Sequence, residues 1–242
     1  MSGEQCCENP PALNTSSGKG VVLDDYGGLK SYVVGSHNST KAIILISDVF
    51  GFEAPNLRKL ADKVAEIGFL VVVPDYFYGD PYLPDVPTNP LNIWIKSHMT
   101  DKGFEDSKPL IAALKSNGVT AIGAAGFCWG GKVVAELSKS DDDCIKAGVM
   151  IHPSLVVVED IKEIKTPIAI LGAETDYISP PQLINEFDDI LSSKPEIDSF
   201  VKIFPGVKHG WSVRYDVNDE TGVKRAEEAH QHMIDWFMKY VK

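Results

Sequence analysis

The sequence predicts an α/β fold in which helices cover both faces of a mainly parallel central sheet. Short, wholly apolar runs recur along the chain, as expected of strands that are buried on both faces. Amphipathic segments with helical spacing alternate with these runs. The chain has 242 residues, no internal repeat and no evident linker, which suits one domain. Together these observations predict a single sheet with helices on both sides.

The first half of the domain is expected to begin with an antiparallel hairpin. Alternating segments around Val21–Leu23 and Leu29–Val34 flank a Gly-Gly turn. The apolar run Ala42–Ser47 then predicts the first doubly buried strand. Leucine, alanine and valine residues at helical spacing predict the first helix over Ala54–Ile67.

The second half continues the alternation. Leu70–Pro74 is again apolar and strand-like, whereas the Pro- and Tyr-rich stretch Asp75–Pro90 is too irregular for a long element. The pattern then predicts, in order, helices near 93–98 and 104–116, a strand over 121–128, a helix over 130–138, a strand in AGVMIHP, a loop, a strand in PIAILGAE, a helix over 181–191, a strand in FVKIFP and a last helix from about 223 to 241.

Composition and charge narrow the classes of function. The chain is 44% hydrophobic and 24% charged, which is ordinary for a globular protein. A net charge of −11 disfavours nucleic acid and anionic membranes, which require clustered Lys and Arg. No apolar run approaches the roughly 20 residues of a membrane span, and the first residues do not resemble a secretory signal. We therefore expect a cytoplasmic protein, monomeric or weakly homodimeric, without nucleic-acid or membrane partners.

The four cysteines do not indicate a disulfide framework or a metal site. No C-x-x-C pair and no Cys/His group at ligand spacing is present, so neither a metal nor another cofactor is expected. Cys6 and Cys7 lie in a polar leader, residues 1–19, which we expect to be flexible, and we interpret both as bystanders. Cys144 is interpreted as a packing residue. Residues 20–242 are expected to form the folded domain.

Cys128 is the first candidate for chemistry. In sheets of this kind, functional residues gather in the loops at the carboxyl ends of the strands. Cys128 lies at such a position within Gly126-Phe127-Cys128-Trp129-Gly130-Gly131. Glycines two residues before and after a nucleophile permit a sharp strand-to-helix turn that exposes its side chain, and the positive helix N-terminus favours a thiolate. The alternative is a structural cysteine beside a tight strand–helix crossing.

Two further polar residues follow later strands. Asp176 comes after the apolar strand in AILGAETD, and His209 lies in a glycine-flanked loop after the last strand, in PGVKHG. Taken singly, each has an ordinary interpretation as a turn former or a loop residue. The chain order nucleophile, acid, histidine is that of the α/β-hydrolases, so the three residues together predict a catalytic triad.

The chain resembles the dienelactone hydrolase family (carboxymethylenebutenolidases), a branch of the α/β-hydrolase fold with a cysteine nucleophile. The resemblance runs from about Gly20 to Lys242. It rests on the motif around Cys128, on GAETD, on PGVKHG and on DVFG at Asp48–Gly51. It implies that Cys128 is the nucleophile, His209 the base and Asp176 the acid that orients the histidine.

The resemblance also implies roles for residues around the nucleophile. The backbone N–H groups of Val49 and Trp129 would form the oxyanion hole. Asp48 stands where the family commonly has a glutamate that pairs with the cysteine in the resting enzyme, and it is one methylene shorter. Arg214 corresponds to one of the arginines that hold a substrate carboxylate in bacterial members of the family. A second arginine, expected near Asp75–Asp85, is missing, which indicates a less anionic and more aromatic pocket.

Four more residues after strands are candidates for substrate contact, namely Tyr76, Phe77, His152 and Trp211. For His152 a site contact and a structural hydrogen bond are both open, and Trp211 is either a lid or a core residue. The sequence thus predicts a hydrolase that cleaves a lactone or an activated ester through a thioester. The alternatives are a non-catalytic ligand-binding or redox-responsive protein of the same fold, and a glycosidase, which would need two carboxylates flanking a sugar cleft.

Overall fold

The computed structural model describes residues 4–140 and 144–242 as one eight-stranded sheet with helices on both faces. The strands are β1 (Val21–Tyr26), β2 (Leu29–Val34), β3 (Lys41–Ile46), β4 (Leu70–Pro74), β5 (Ala121–Phe127), β6 (Ala147–Ile151), β7 (Ile168–Thr175) and β8 (Ser199–Lys208). The helices are α1 (Pro55–Ala65), α2 (Leu91–Ser97), α3 (Thr100–Ser116), α4 (Trp129–Lys139), α5 (Val158–Glu163), α6 (Pro181–Ser192) and α7 (Glu220–Tyr240).

The sheet order is β1-β2-β4-β3-β5-β6-β7-β8. The pairs β1–β2 and β2–β4 are antiparallel, and all later pairs are parallel. The predicted hairpin and the predicted parallel sheet are therefore confirmed. Because β3 and β5 to β8 run in the same direction, the loops that follow them meet at one edge, which we call the carboxyl edge.

The core consists of two apolar layers, one on each face of the sheet. Along β3 the buried side chains alternate between these layers, with Ile44 and Ile46 in one and Ile43 and Leu45 in the other. This alternation explains why β3 is wholly apolar in sequence, because neither of its faces meets water. No helix in the described ranges is long and apolar enough to cross a membrane.

Two short elements were not predicted. Helix α5 lies where the sequence indicated a loop, and it is held by Asp160, whose side chain accepts a hydrogen bond from the Val157 amide and pairs with Lys132 and Lys139. Six residues are too few for helical periodicity to be recognised. A one-turn 3₁₀ helix, Glu4–Cys7, lies within the leader. Residues 1–3 of the leader are outside the described residues.

Candidate active site

Cys128 lies at a sharp corner between β5 and α4, with φ 51° and ψ −108°. Glycines allow the neighbouring segments to approach this corner closely. A Cβ atom at Gly126 would lie 2.0 Å from the Gly130 carbonyl oxygen, and one at Gly130 would lie 2.3 Å from the carbonyl oxygen of Ile46. The positive φ of a non-glycine residue stores strain of about 1–3 kcal/mol, which the surrounding packing must maintain. The corner has the form predicted from the sequence.

Asp176 and His209 meet at the same edge of the sheet. Asp176 Oδ2 lies 2.8 Å from His209 Nδ1, and both side chains are fully buried. Asp176 Oδ1 accepts hydrogen bonds from the amides of Ile178 and Ser179, which fixes the carboxylate. With Nδ1 bound to the carboxylate, Nε2 is free, and it has no hydrogen-bond partner among the described residues.

The sulfur of Cys128 lies close to the histidine and to a second sulfur. The Sγ atoms of Cys6 and Cys128 and a ring nitrogen of His209 all lie within 4.8 Å of one another. The distance between the two sulfurs is 3.6 Å, and Ser154 Oγ is also 3.6 Å from Cys128 Sγ. This group of donor atoms could also hold a metal ion, which the spacing of these residues in the sequence did not indicate.

The electrostatics of this group favour an ion pair. A hydrogen bond from Cys6 lowers the pKa of Cys128 well below its usual 9.0, against the opposing effect of burial and with help from the charge of His209. Burial lowers the pKa of His209, but the Cys128 thiolate and Asp176 outweigh it and raise that pKa to about 9. The hydrogen bond with Cys128 and burial raise the pKa of Cys6. Both shifts favour transfer of the thiol proton from Cys128 to His209.

The leader differs from the flexible segment that we expected. Gln5 and Cys6 are buried, 4% and 2% exposed. The Gln5 side chain donates to the Thr175 carbonyl oxygen at 2.9 Å and accepts from the Tyr177 amide at 2.7 Å. The interpretation of Cys6 as a bystander is wrong, because its sulfur contacts that of Cys128. The only signal in the sequence was the presence of cysteine in an otherwise polar leader.

Arg214 and Asp48 lie together behind the nucleophile. Arg214 Nε is 3.2 Å from Asp48 Oδ2, and both side chains are buried. Arg214 Nη1 donates to the carbonyl oxygens of Cys6 and Glu8 at 2.9 and 2.7 Å. In this structure Arg214 therefore holds the leader, whereas the resemblance implied a contact with a substrate carboxylate.

The resemblance implied that Asp48 pairs with Cys128 in the resting enzyme, but the carboxylate of Asp48 has other partners in the structure. Its Oδ1 atom accepts a hydrogen bond from the Phe50 amide, and its Oδ2 atom faces Arg214. No hydrogen bond joins Asp48 to Cys128 within the described ranges. Burial raises the pKa of Asp48 to about 6, although Arg214 opposes the change. Among the described thiols, the one that contacts Cys128 is Cys6.

Val49 and Trp129, whose amides were expected to form the oxyanion hole, both line a cavity of about 360 Å³. Val49 follows β3, and Trp129 is the first residue of α4, so its N–H has no intrahelical acceptor. Neither amide donates a hydrogen bond to any part of the chain that the structure describes. Cys6 and Ser154 line the same cavity, and its remaining lining is aliphatic: Leu91, Ile95, Leu155, Val156, Val157, Ile178 and Leu183.

The aromatic candidates do not line this cavity. The Tyr76 hydroxyl forms a hydrogen bond with Ser107 Oγ at 2.8 Å. Phe77 packs edge-on against Trp94 and Trp129. Both are buried behind the indole of Trp129. The lining of this cavity contains no charged residue, and it is mainly aliphatic where an aromatic lining was predicted.

The other two candidates lie on the far side of the histidine. His152 is buried, its Nε2 atom bonds with Ser212 Oγ at 2.8 Å, and its ring packs edge-on against His209 with centroids 5.0 Å apart. Burial lowers the pKa of His152 well below 6.5, so it is a neutral support for the His209 ring. Trp211 packs against His152 and, together with His209 and Arg214, lines a second, more polar groove of about 770 Å³.

Comparison with known proteins identifies the family. The family model described as the dienelactone hydrolase family matches residues 29–241. The chain belongs to the dienelactone hydrolase family. It is therefore a dienelactone hydrolase-like enzyme, and the prediction of a carboxylic-ester hydrolase is confirmed at the level of the family.

The chain is also similar to two named relatives and to a solved structure. The chain is 32% identical over 218 residues to a carboxymethylenebutenolidase homologue from Xenopus tropicalis, covering 88% of each protein. It is 43% identical over 198 residues to a Zea mays protein named endo-1,3;1,4-beta-D-glucanase, covering 80% of this chain and 63% of the maize protein. A dienelactone hydrolase structure from Klebsiella pneumoniae has the same fold, with a TM-score of 0.72, 20% identity and coverage of 88% of this chain and 93% of that one.

Proposed function

We propose that the protein hydrolyses lactones and activated esters through a thioester on Cys128. The observation that carries this proposal is the cluster formed by the Cys128 sulfur and the His209 ring, which contacts Cys6 and Ser154, two residues that line the aliphatic cavity together with Val49 and Trp129. The hydrogen bond between Asp176 and His209 supports it, since it leaves Nε2 available for proton transfer.

Acylation begins with the Cys128 thiolate. It attacks the carbonyl carbon of the bound ester, and the carbonyl oxygen becomes an oxyanion that accepts hydrogen bonds from the amides of Val49 and Trp129. Such donors contribute about 3–4 kcal/mol each in comparable sites. When the tetrahedral intermediate collapses, the C–O bond breaks, and the leaving oxygen takes the proton from His209 Nε2. In a lactone the leaving oxygen stays attached to the acyl group.

Deacylation uses His209 in the opposite direction. The neutral imidazole accepts a proton from water through Nε2, and the resulting hydroxide attacks the thioester carbon. The C–S bond then breaks, which releases the carboxylic acid and restores the thiolate beside the imidazolium. Asp176 holds the required tautomer through both steps, because it binds the proton on Nδ1.

The chemistry of the pocket narrows the substrate class. A thiolate is a good leaving group, so thioester formation favours esters that themselves have good leaving groups, such as enol lactones and aryl esters. The cavity of about 360 Å³ has no charged lining residue, and Arg214 is already bonded to Asp48 and to two carbonyl oxygens of the leader. We therefore expect uncharged acyl groups to be preferred to acyl groups with a carboxylate.

The test is turnover with matched variants. We expect steady-state hydrolysis of p-nitrophenyl acetate and of a panel of neutral lactones, with an acyl adduct on Cys128 detected by mass spectrometry. Cys128→Ala should abolish turnover, whereas Cys144→Ala, at a buried cysteine whose Sγ bonds with Ser140 Oγ, should retain it. A single burst without turnover would instead support the ligand-binding or redox-responsive alternative. Full activity of Cys128→Ala would refute the mechanism.

The name of the maize relative raises glucan hydrolysis as a second candidate. That chemistry needs two carboxylates about 5–9.5 Å apart on either side of a sugar cleft. Asp48 is engaged by Arg214, and Asp75 accepts hydrogen bonds from the amides of Phe77 and Gly79. These two carboxylates thus support local structure and Asp176 is bonded to His209, which favours the thioester mechanism. Release of reducing sugar from a mixed-linkage glucan by both wild type and Cys128→Ala would support the glucanase instead.

A further inference from the structure

A second thiol lies directly against the proposed nucleophile. The Sγ atoms of Cys6 and Cys128 are 3.6 Å apart, although 122 positions separate the two residues in sequence. Both are buried, and the hydrogen bond between the two sulfurs lowers the pKa of Cys128. Ester hydrolysis consumes neither thiol and makes a covalent bond to only one of them, so the second thiol calls for another explanation.

The position of Cys6 is determined by contacts on both sides of it. Gln5 makes two hydrogen bonds, to the Thr175 carbonyl oxygen and from the Tyr177 amide. Arg214 donates to the carbonyl oxygens of Cys6 and Glu8. These four hydrogen bonds fix the backbone around Cys6 at the carboxyl edge. The approach of the two sulfurs is thus a built feature of the site.

We propose that Cys6 and Cys128 form an oxidisable dithiol, in which a small hydroperoxide oxidises Cys128 and Cys6 then closes an internal disulfide. This reaction goes beyond the proposed hydrolysis, because it needs no acyl substrate. Its reactants are a hydroperoxide as oxidant and, for the return step, a small thiol as reductant.

The forward reaction has two balanced steps. The Cys128 thiolate attacks one oxygen of ROOH, the O–O bond breaks, and Cys128 becomes a sulfenic acid while the alkoxide takes a proton from His209 and leaves as ROH. The Cys6 sulfur then attacks the sulfenic sulfur, the S–O bond breaks, and hydroxide leaves as water with the thiol proton. The two sulfurs together lose two electrons to the peroxide. Two equivalents of a small thiol reverse the change and become a disulfide.

The geometry suits both steps. A thiolate rather than a thiol reacts with peroxide, and the cavity of about 360 Å³ lined by Cys6 is large enough to admit a small hydroperoxide. To reach an S–S bond of about 2.05 Å, the sulfurs must approach by about 1.6 Å. Cys128 is fixed by β5 and α4, whereas Cys6 lies in a one-turn 3₁₀ helix. The movement therefore falls to the side chain of Cys6 and to the single turn that carries it.

The consequence would be reversible control of the hydrolase. A disulfide removes the nucleophile, so ester turnover stops until a thiol restores it. It also stops oxidation at a recoverable stage, because a sulfenic acid without a nearby thiol proceeds to the irreversible sulfinic acid. Cys7 is the natural control, because it is adjacent in sequence and only half-buried, and no hydrogen bond of the described residues joins it to Cys128.

The experiment treats the full chain with hydrogen peroxide and compares wild type, Cys6→Ser and Cys7→Ser. After treatment, free thiols are blocked by alkylation, and the products are identified by intact mass and by peptide mapping without reduction. Metal chelator is present throughout, so that a metal bound by Cys6, Cys128 and His209 does not mask the thiols. Activity is expressed relative to each untreated variant, and far-ultraviolet circular dichroism checks that each variant is folded.

We expect wild type and Cys7→Ser to lose about 2 Da, to yield a peptide pair joining Cys6 to Cys128, and to regain activity with dithiothreitol. Cys6→Ser should instead gain about 32 Da on Cys128 and remain inactive after reduction. The proposal is overturned if wild type gives no Cys6–Cys128 peptide, or if Cys6→Ser recovers as fully as wild type. Because the cross-link is read by mass, this result is independent of whether the protein turns over esters.

Discussion

The two sulfur atoms of the site are supported in different ways. Cys128 is held by backbone geometry within six residues, at a corner whose glycines have no room for a side chain. Cys6 is held by hydrogen bonds that span 170 to 208 positions in sequence, because the adjacent Gln5 side chain donates to the Thr175 carbonyl oxygen and Arg214 donates to the Cys6 carbonyl oxygen. The comparison shows that a site can combine a locally encoded position with one that depends wholly on tertiary contacts. Only the first kind is visible in a motif.

The largest effect should come from a substitution at Asp176, which orients His209 beside Cys128. In Asp176→Asn the amide cannot hold His209 in the same tautomer, and removing a buried carboxylate partner of this kind costs about 10⁴-fold in kcat. Steady-state hydrolysis of p-nitrophenyl acetate measures the loss. The descending limb of the pH–rate profile should also move to lower pH, since Asp176 is one of the groups that raise the pKa of His209 to about 9. An unchanged profile would contradict the assigned role.

The next effect concerns the corner itself. In Gly126→Ala the new Cβ would lie 2.0 Å from the Gly130 carbonyl oxygen, so β5 and α4 must move apart. We expect a loss of about 3–5 kcal/mol in the free energy of unfolding, as for other severe steric conflicts in a core. Urea unfolding measures it. The control is Gly118→Ala, where φ is +90° but no atom lies within 4 Å, and where about 1–2 kcal/mol is expected.

A smaller effect should come from Asp48, which pairs with Arg214, the residue that also donates to the Cys6 carbonyl oxygen. Burial raises the pKa of Asp48 from 3.8 to about 6. The stabilising contribution of this group is therefore fully present below pH 3.8 and is lost as pH rises through about 6. Relative to Asp48→Asn, the wild-type free energy of unfolding should fall by up to about 3 kcal/mol between about pH 4 and pH 7. A constant difference between the two proteins over this range would contradict the assignment.

The smallest effect should come from a substitution at Gln5, which holds the leader through long-range hydrogen bonds. Gln5→Ala removes two hydrogen bonds, each with a net value of about 1 kcal/mol, so the leader should leave the carboxyl edge more often. The rate of Cys6 alkylation should rise about tenfold or more, because 1.4 kcal/mol corresponds to a factor of ten in an equilibrium constant. Gln182→Ala, at an exposed position on α6, should alkylate at the wild-type rate. Equal rates in all three proteins would show that Gln5 does not anchor the leader.

The parts of the fold that depend on local sequence patterns could be predicted, and those that depend on long-range contacts could not. The strands, their parallel order after the hairpin and the corner at Cys128 could be predicted, because apolar runs and glycine spacing are local properties. The positions of Asp176 and His209 could be predicted from their places after successive strands, since the sheet brings those loops together. Helix α5 could not, because its six residues depend on Asp160 and its lysine partners rather than on a repeating pattern.

The contacts of Arg214 and Cys6 could not be predicted for a different reason. The sequence contains no signal for which backbone carbonyls an arginine will bind, and here the guanidinium bonds to a segment that composition marks as loose. The resemblance to the family implied a substrate contact at Arg214 and a resting-state contact at Asp48. The structure pairs these two residues with each other. Pairing of this kind depends on long-range geometry.

The contacts of Gln5 and Cys6 also bear on the order in which the molecule assembles. A ribosome synthesises the leader first, but its binding partners on β7 and after β8 appear about 170 and 208 residues later. Long sequence separation makes such contacts late events in folding. During synthesis the sulfur of Cys6 must therefore remain exposed, and Cys128 must enter its corner without it. The pairing of the two thiols is then one of the last steps in the maturation of the enzyme.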